Sequence, residues 1–169
     1  MAAAILERRL AEREVDARVR SAGTRPWNAG ATDHSVTVMR ERGLDIADHE
    51  NCGLTGELVE QADLVLGMTR EHVSITRARI SDAADRTFLV GELARLGGRI
   101  GPREESEPLA GWARRASAAR PPNRPLGRAI DEVADPVGQS IDVYRHTATL
   151  LDRRLSEIAD LLAGVRTLA

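Results

Sequence analysis

The sequence predicts an α/β protein in three layers, a short parallel sheet between helices. Three observations predict it. Segments of helical and strand period alternate along the chain. Two short apolar runs, ADLVLGM at 62–68 and TFLV at 87–90, have the composition of strands buried on both faces. A strongly periodic helix begins near Ile141 and closes the chain. Folds of this kind bind ligands at the carboxyl ends of their strands.

The opening MAAAILERRLAERE reads as a helix, with Ala3, Leu6 and Leu10 on one face and charged residues over most of the rest. Nothing caps it. No Ser, Thr, Asp or Asn stands ready to accept an orphan N–H, and the α-ammonium lies at the positive end of the helix dipole. Val15, Ala17, Val19 and Ser21 then alternate with Asp16, Arg18 and Arg20, which predicts a strand stopped by Ala22-Gly23. A loop carrying Pro26, Trp27 and Gly30 leads to a helix that starts at Asp33 or His34 and ends at Gly43.

The stretch 44–54 is irregular and polar, and Thr55 caps a short helix after it. The strand at 62–68 is followed by the helix TREHVSITRARI, with Thr69 as its cap. The strand Thr87–Val90 feeds a short helix at Gly91. Over about 97–130 Gly, Pro, Arg and Ser dominate, and WARRASAA is the only helix-like piece. This reads as a long connection and not a second domain, so residues 1–169 are expected to form one domain. In the last helix Ile141, Tyr144, Ala148, Leu151, Leu155, Ile158, Leu162 and Val165 recur at steps of three and four behind Ser140 as cap, a core-facing stripe.

Composition narrows the function classes. A net charge of -2 and a pI near 6.1 leave no basic face for nucleic acid, and no apolar run is long enough to cross a bilayer. All 24 basic residues are Arg. One cysteine excludes an internal disulfide framework and suits a reducing cytoplasm. The N-terminus lacks the apolar segment of a signal peptide.

Most motifs are absent. There is no G-x-G-x-x-G after a strand, no Walker A sequence and no G-x-S-x-G elbow. Of His34, His49, His72 and His146 only His49 has a nearby partner, Cys52, and two ligands do not make a metal site. Cys52 fails as a phosphate-attacking thiolate, because the residue six positions on is Leu58 where such a loop needs Arg. Asp135 stands out: in ADPVGQS, Pro136 biases it towards an extended conformation, from which a carboxyl can project over the strand ends as a general acid.

Together, MAAAILERRLAE, SAGT at 21–24 with Trp27 after it, RERGLDI, ADLVLGMTREH, TFLVGELARL and DPVGQSIDVYR resemble, in order, the low-molecular-weight protein tyrosine phosphatase family. The resemblance implies a four-stranded parallel sheet with flanking helices and a catalytic C-x5-R-S-P loop after a central first strand. In that family the loop Cys attacks the phosphorus of a phosphotyrosine ester. Backbone N–H groups and the loop Arg hold the phosphoryl oxygens, and an Asp protonates the leaving phenolate. No metal or other cofactor is implied. The substrate would be a phosphotyrosine protein or a small phosphate ester.

Carried over by resemblance, Asp135 is the general acid, Trp27 a substrate-rim aromatic and Ser21 a support for the phosphate loop. Loop packing and strand-end hydrogen bonding are the alternatives for Trp27 and Ser21. The nucleophile and loop Arg have no counterpart in these 169 residues. Val137 stands where the family commonly has Tyr after Asp-Pro.

Met1 resembles the family residue that follows the loop Pro, which leads us to expect a written start too far downstream and a chain inactive as it stands. A central strand contributes four or so apolar side chains at about 1.5–3 kcal/mol each, against a domain margin of ~5–15 kcal/mol. Marginal stability and aggregation are therefore expected. The alternatives are a non-catalytic pseudo-phosphatase that binds or regulates, and an arsenate reductase of the same fold, whose extra cysteines are lacking here. The sequence carries no sign of oligomeric state.

Overall fold

The structure, a computed structural model, describes residues 1–25, 30–123 and 126–164. Helix α1 (Ala2–Ala11) starts at Met1 with no capping side chain, and burial pushes the Met1 α-ammonium below its ordinary pKa. It buries Ile5 and Leu10, while Ala3 and Leu6, expected on the inner face, are half-buried. The difference comes from its neighbour, helix α7 (Ile141–Ala163). Met1 packs beside Tyr144 and Ala148, Arg9 forks onto Asp152 at 2.7 and 2.8 Å, and Arg13 reaches Asp160 at 2.6 Å. The two helices therefore run parallel.

The strand expected at Val15–Ser21 does not join the sheet. Residues 15–22 are assigned to no strand, and the segment meets the fold through one parallel bridge, Gly23 with Gly53. There the Gly23 N–H donates to the Cys52 carbonyl and the Leu54 N–H to the Gly23 carbonyl, both at 2.8 Å. The alternation in the sequence is real, but a strand forms only where a neighbour completes its backbone hydrogen bonds.

Helix α2 (Asp33–Arg40) is capped by Thr32. It closes at Gly43, whose φ of +71° lets the Gly43 and Leu44 N–H groups turn back to the Arg40 and Met39 carbonyls. Thr55 caps α3 (Gly56–Glu60) by accepting from the Leu58 N–H at 3.2 Å, and Thr69 caps α4 (Arg70–Arg79) through the His72 N–H at 3.4 Å.

The sheet is one parallel pair, β1 (Val65–Gly67) with β2 (Thr87–Leu89), in register Val65–Thr87, Leu66–Phe88 and Gly67–Leu89. The connection between them runs through α4 and a 3-10 helix at Ser81–Arg86. β2 is fully buried as expected; in β1 Val65 and Leu66 are only half-buried, because the edge of β1 away from β2 carries no strand among the described residues. Phe88 joins the main core with Ile5, Leu93, Trp112, Leu155 and Ile158, while Leu89 and Val73 are buried outside that cluster. Alternation along β2 thus places helices on both faces.

Helix α5 (Val90–Ile100) is longer than expected, and Gly97 and Gly98 lie inside it. The connection over 97–130 is not irregular throughout: α6 (Leu109–Ala118) buries Trp112, whose indole N–H donates to the Gly101 carbonyl at 3.0 Å. Tyr144, Ala148, Leu151, Leu155, Ile158 and Leu162 are buried along α7 as the stripe predicts, Ile141 is half-buried, and Val165 lies outside the described residues. Ser140 occupies the cap position but its side chain makes no capping bond. No helix among the described residues is long and apolar enough to cross a membrane.

Candidate active site

Asp135 is held at the carboxyl end of β1 by the residues just before it. The Val133 N–H donates to the Met68 carbonyl at 2.8 Å, so the segment runs along the exit of the strand. Arg154 of α7 gathers three successive carbonyls, those of Ile130, Asp131 and Glu132, at 2.8, 3.0 and 3.1 Å. Burial pushes this guanidinium below its ordinary pKa. Gly91 makes the approach possible: a Cβ there would lie 2.7 Å from both the Asp131 carbonyl oxygen and the Arg154 guanidinium carbon.

Glu132 ties the same segment to α4. One of its oxygens accepts from the Arg70 N–H at 2.8 Å and from Arg70 Nε at 3.1 Å. The backbone N–H, with the guanidinium behind it, holds the Glu132 carboxyl below the usual range. The arrangement places a carboxylate on the positive end of α4.

Beyond these anchors Asp135 is exposed. Its Oδ1 accepts from the Val137 N–H at 3.0 Å, closing a turn on the buried Pro136 with Gly138 at φ +80°. Its Oδ2 has no partner among the described residues. The carboxyl is thus fixed by one oxygen and open at the other, an arrangement able to exchange a proton with a group above the strand ends. Val137 beside it is 52% exposed, an aliphatic rim.

Ser21 is exposed, and its carbonyl accepts from the Cys52 thiol at 3.0 Å. Both residues line an open cleft of about 630 Å³ with Ala3, Glu7, Val19 and Leu58. The 21–25 segment reaches the same end of the fold as Asp135: Arg25 pairs with Glu71 at 3.0 Å, in the first turn of α4 next to the Arg70–Glu132 contact. Trp27 lies outside the described residues. The anchors Arg154, Glu132 and Arg70 carry no signal in the sequence, since each pairs with residues 22 or more positions away.

Comparison with known proteins defines the class. The family model for low molecular weight phosphotyrosine protein phosphatases matches residues 1–96, and the chain belongs to that family. It is similar to a protein-arginine-phosphatase of Bacillus subtilis, 31% identical over 90% of this chain and 81% of the relative. Among solved structures, a YwlE mutant from Bacillus subtilis superposes with a TM-score of 0.68 at 28% identity, covering 94% of this chain and 86% of that one. A low molecular weight protein tyrosine phosphatase from T. tengcongensis shares the fold at a TM-score of 0.70 and 24% identity, over 95% and 88% of the two chains.

Proposed function

We propose that this protein is a cysteine-dependent phosphatase of phosphorylated protein side chains, with Asp135 as its general acid and a nucleophilic loop outside the 169 residues. The observation that carries the reading is the family match, together with an open carboxyl fixed at the carboxyl end of β1. In the reaction a loop thiolate attacks phosphorus and the bond to the leaving atom breaks. The Asp135 carboxyl gives that atom its proton. Water then attacks the phosphocysteine while the Asp135 carboxylate takes a proton from it, releasing phosphate and the thiolate. Ser21 supports the loop and Trp27 borders the substrate in this reading. Residues 1–169 act as one unit and work in the cytoplasm, on phosphotyrosine proteins or small phosphate esters.

Phosphoarginine is the second substrate reading. It is favoured by the similarity to a protein-arginine-phosphatase and by the aliphatic Val137, which offers no ring to stack on a phenol. The C-x5-R pattern does not occur within the 169 residues, so this chain by itself is expected to be inactive. A role as a non-catalytic binding module rests on the same observation.

Mass spectrometry of the N-terminal peptide of the endogenous protein tests the proposal, followed by assays on phosphotyrosine and phosphoarginine peptides. An endogenous start that carries C-x5-R, with activity that Asp135→Asn lowers by about 10²–10⁴-fold, supports it. An endogenous start at Met1 excludes the phosphocysteine route and leaves the binding module.

A further inference from the structure

We infer that the cleft that α5 forms with Pro121, Gly127 and Arg128 binds a small phosphate-class dianion, at a site separate from Asp135. The cleft encloses about 180 Å³ and is lined by Glu92, Arg95, Arg99, Pro121, Gly127 and Arg128. Both nearby carboxylates are already occupied. Glu92 is buried and accepts from the Arg120 guanidinium at 2.8 and 3.2 Å. Asp131 is buried as well, and accepts from Arg95 at 2.8 and 3.3 Å and from Arg128 at 3.4 Å through two nitrogens. Arg99 has no hydrogen bond or ion pair among the described residues. Among the described residues the guanidiniums of Arg95, Arg99, Arg120 and Arg128 outnumber the carboxylates of Glu92 and Asp131, an excess of positive charge that suits a phosphate anion.

Geometry agrees with charge. Arg95 and Arg99 stand four residues apart on α5 and so share one face of it. The long Arg128 contacts to Asp131 leave its fork ready to turn to a better acceptor, and planar guanidiniums match phosphate oxygens two at a time. The volume admits a phosphate group and falls short of the ~300 Å³ at which pockets begin to enclose drug-sized ligands. The ligand is therefore inorganic phosphate or the phosphoryl end of a small ester, held outside the site of chemistry.

The test is a titration of the 169-residue protein with inorganic phosphate and with phenyl phosphate, at ionic strength fixed with sodium chloride. It is run near about 10 °C, where domains are close to their maximum stability. Amide resonances and the thermal midpoint are followed in the parent, Arg99→Gln and Arg128→Gln. Arg99 is exposed and makes no hydrogen bond or ion pair among the described residues, so its substitution is expected to leave the fold intact.

The expected result is saturable one-site binding that shifts Gly127, Arg128 and the last turn of α5, raises the midpoint, and weakens about tenfold in Arg99→Gln. Binding of phosphate alone identifies the free ion as ligand; binding of both identifies the ester. The inference is overturned by shifts that do not saturate or that chloride reproduces, by affinities unchanged in both variants, or by a saturable site that maps to 21–25 and 132–137 instead.

Discussion

Arg120 is the residue on which the interior of this protein depends most visibly. Its side chain is 7% exposed, and its guanidinium pairs with the carboxylate of Glu92, whose side chain is 1% exposed, donates to the Thr87 carbonyl at 3.0 Å and lies 4.7 Å above the Phe88 ring. One side chain thereby links the end of α6, the start of α5 and β2. Removing one member of a buried pair leaves the other charged and uncompensated, which costs about 3–5 kcal/mol. Arg120→Met is therefore expected to lower stability in urea denaturation by that amount, and Glu92→Gln in the same background to restore part of it. A loss below about 1 kcal/mol would place the pair with ordinary surface ion pairs.

At the scale of elements, the first turn of α4 joins the sheet to the segment that bears Asp135. Its N–H groups are served by Thr69 at the helix start and by Glu132 from a segment 62 residues away. Because the folded Glu132 carboxyl is held below its unfolded value, its contribution is fully present above the unfolded pKa of about 4.3 and is lost as pH falls through the lower folded value. Glu132→Gln is expected to cost about 1 kcal/mol at pH 7, and the gap to the parent should close at a pH well below the unfolded value of about 4.3. Paired urea titrations at the two pH values check both.

The same elements show what the sequence carries. Thr55, Thr69 and the stripe of α7 act over one to seven residues, and each element they predict is present. The segment 15–21 has the local pattern of a strand and lacks the partner that would make it one. The last turn of α5 was hidden by Gly97 and Gly98, each of which weakens a helix by about 1 kcal/mol relative to Ala; burial of Gly97 against Trp112 and Leu161 offsets that. The turn at Asp135 is legible because Asp-Pro is a local signal, whereas Arg154 and Glu132, which anchor the residues before it, pair only through the tertiary fold.

Considered whole, the molecule is a helical assembly around a minimal sheet. The contacts of α7 with α1, α2 and α5 dominate the packing, while β1 and β2 offer three residue pairs. Strand edges without partners recruit other chains, and among the described residues the open side of β1 and the 15–22 segment, which joins no strand, both present such groups. The 169-residue chain is expected to melt below the ~45–65 °C range of ordinary domains and to associate on heating. A sharp, reversible transition above that range, with a monomeric mass throughout, would show that the helices alone suffice.

The burial of Met1 has one more consequence. With Arg at every basic position, the sequence contains no lysine, so in the isolated 169-residue chain the α-amine of Met1 is the sole primary amine. Half-buried beside α2 and α7, it sits where acylating reagents reach it poorly in the closed structure. Acylation by an amine-directed reagent therefore modifies a single atom, and its rate measures how often α1 lifts away from α7. The opening of the molecule can be timed without any engineered label.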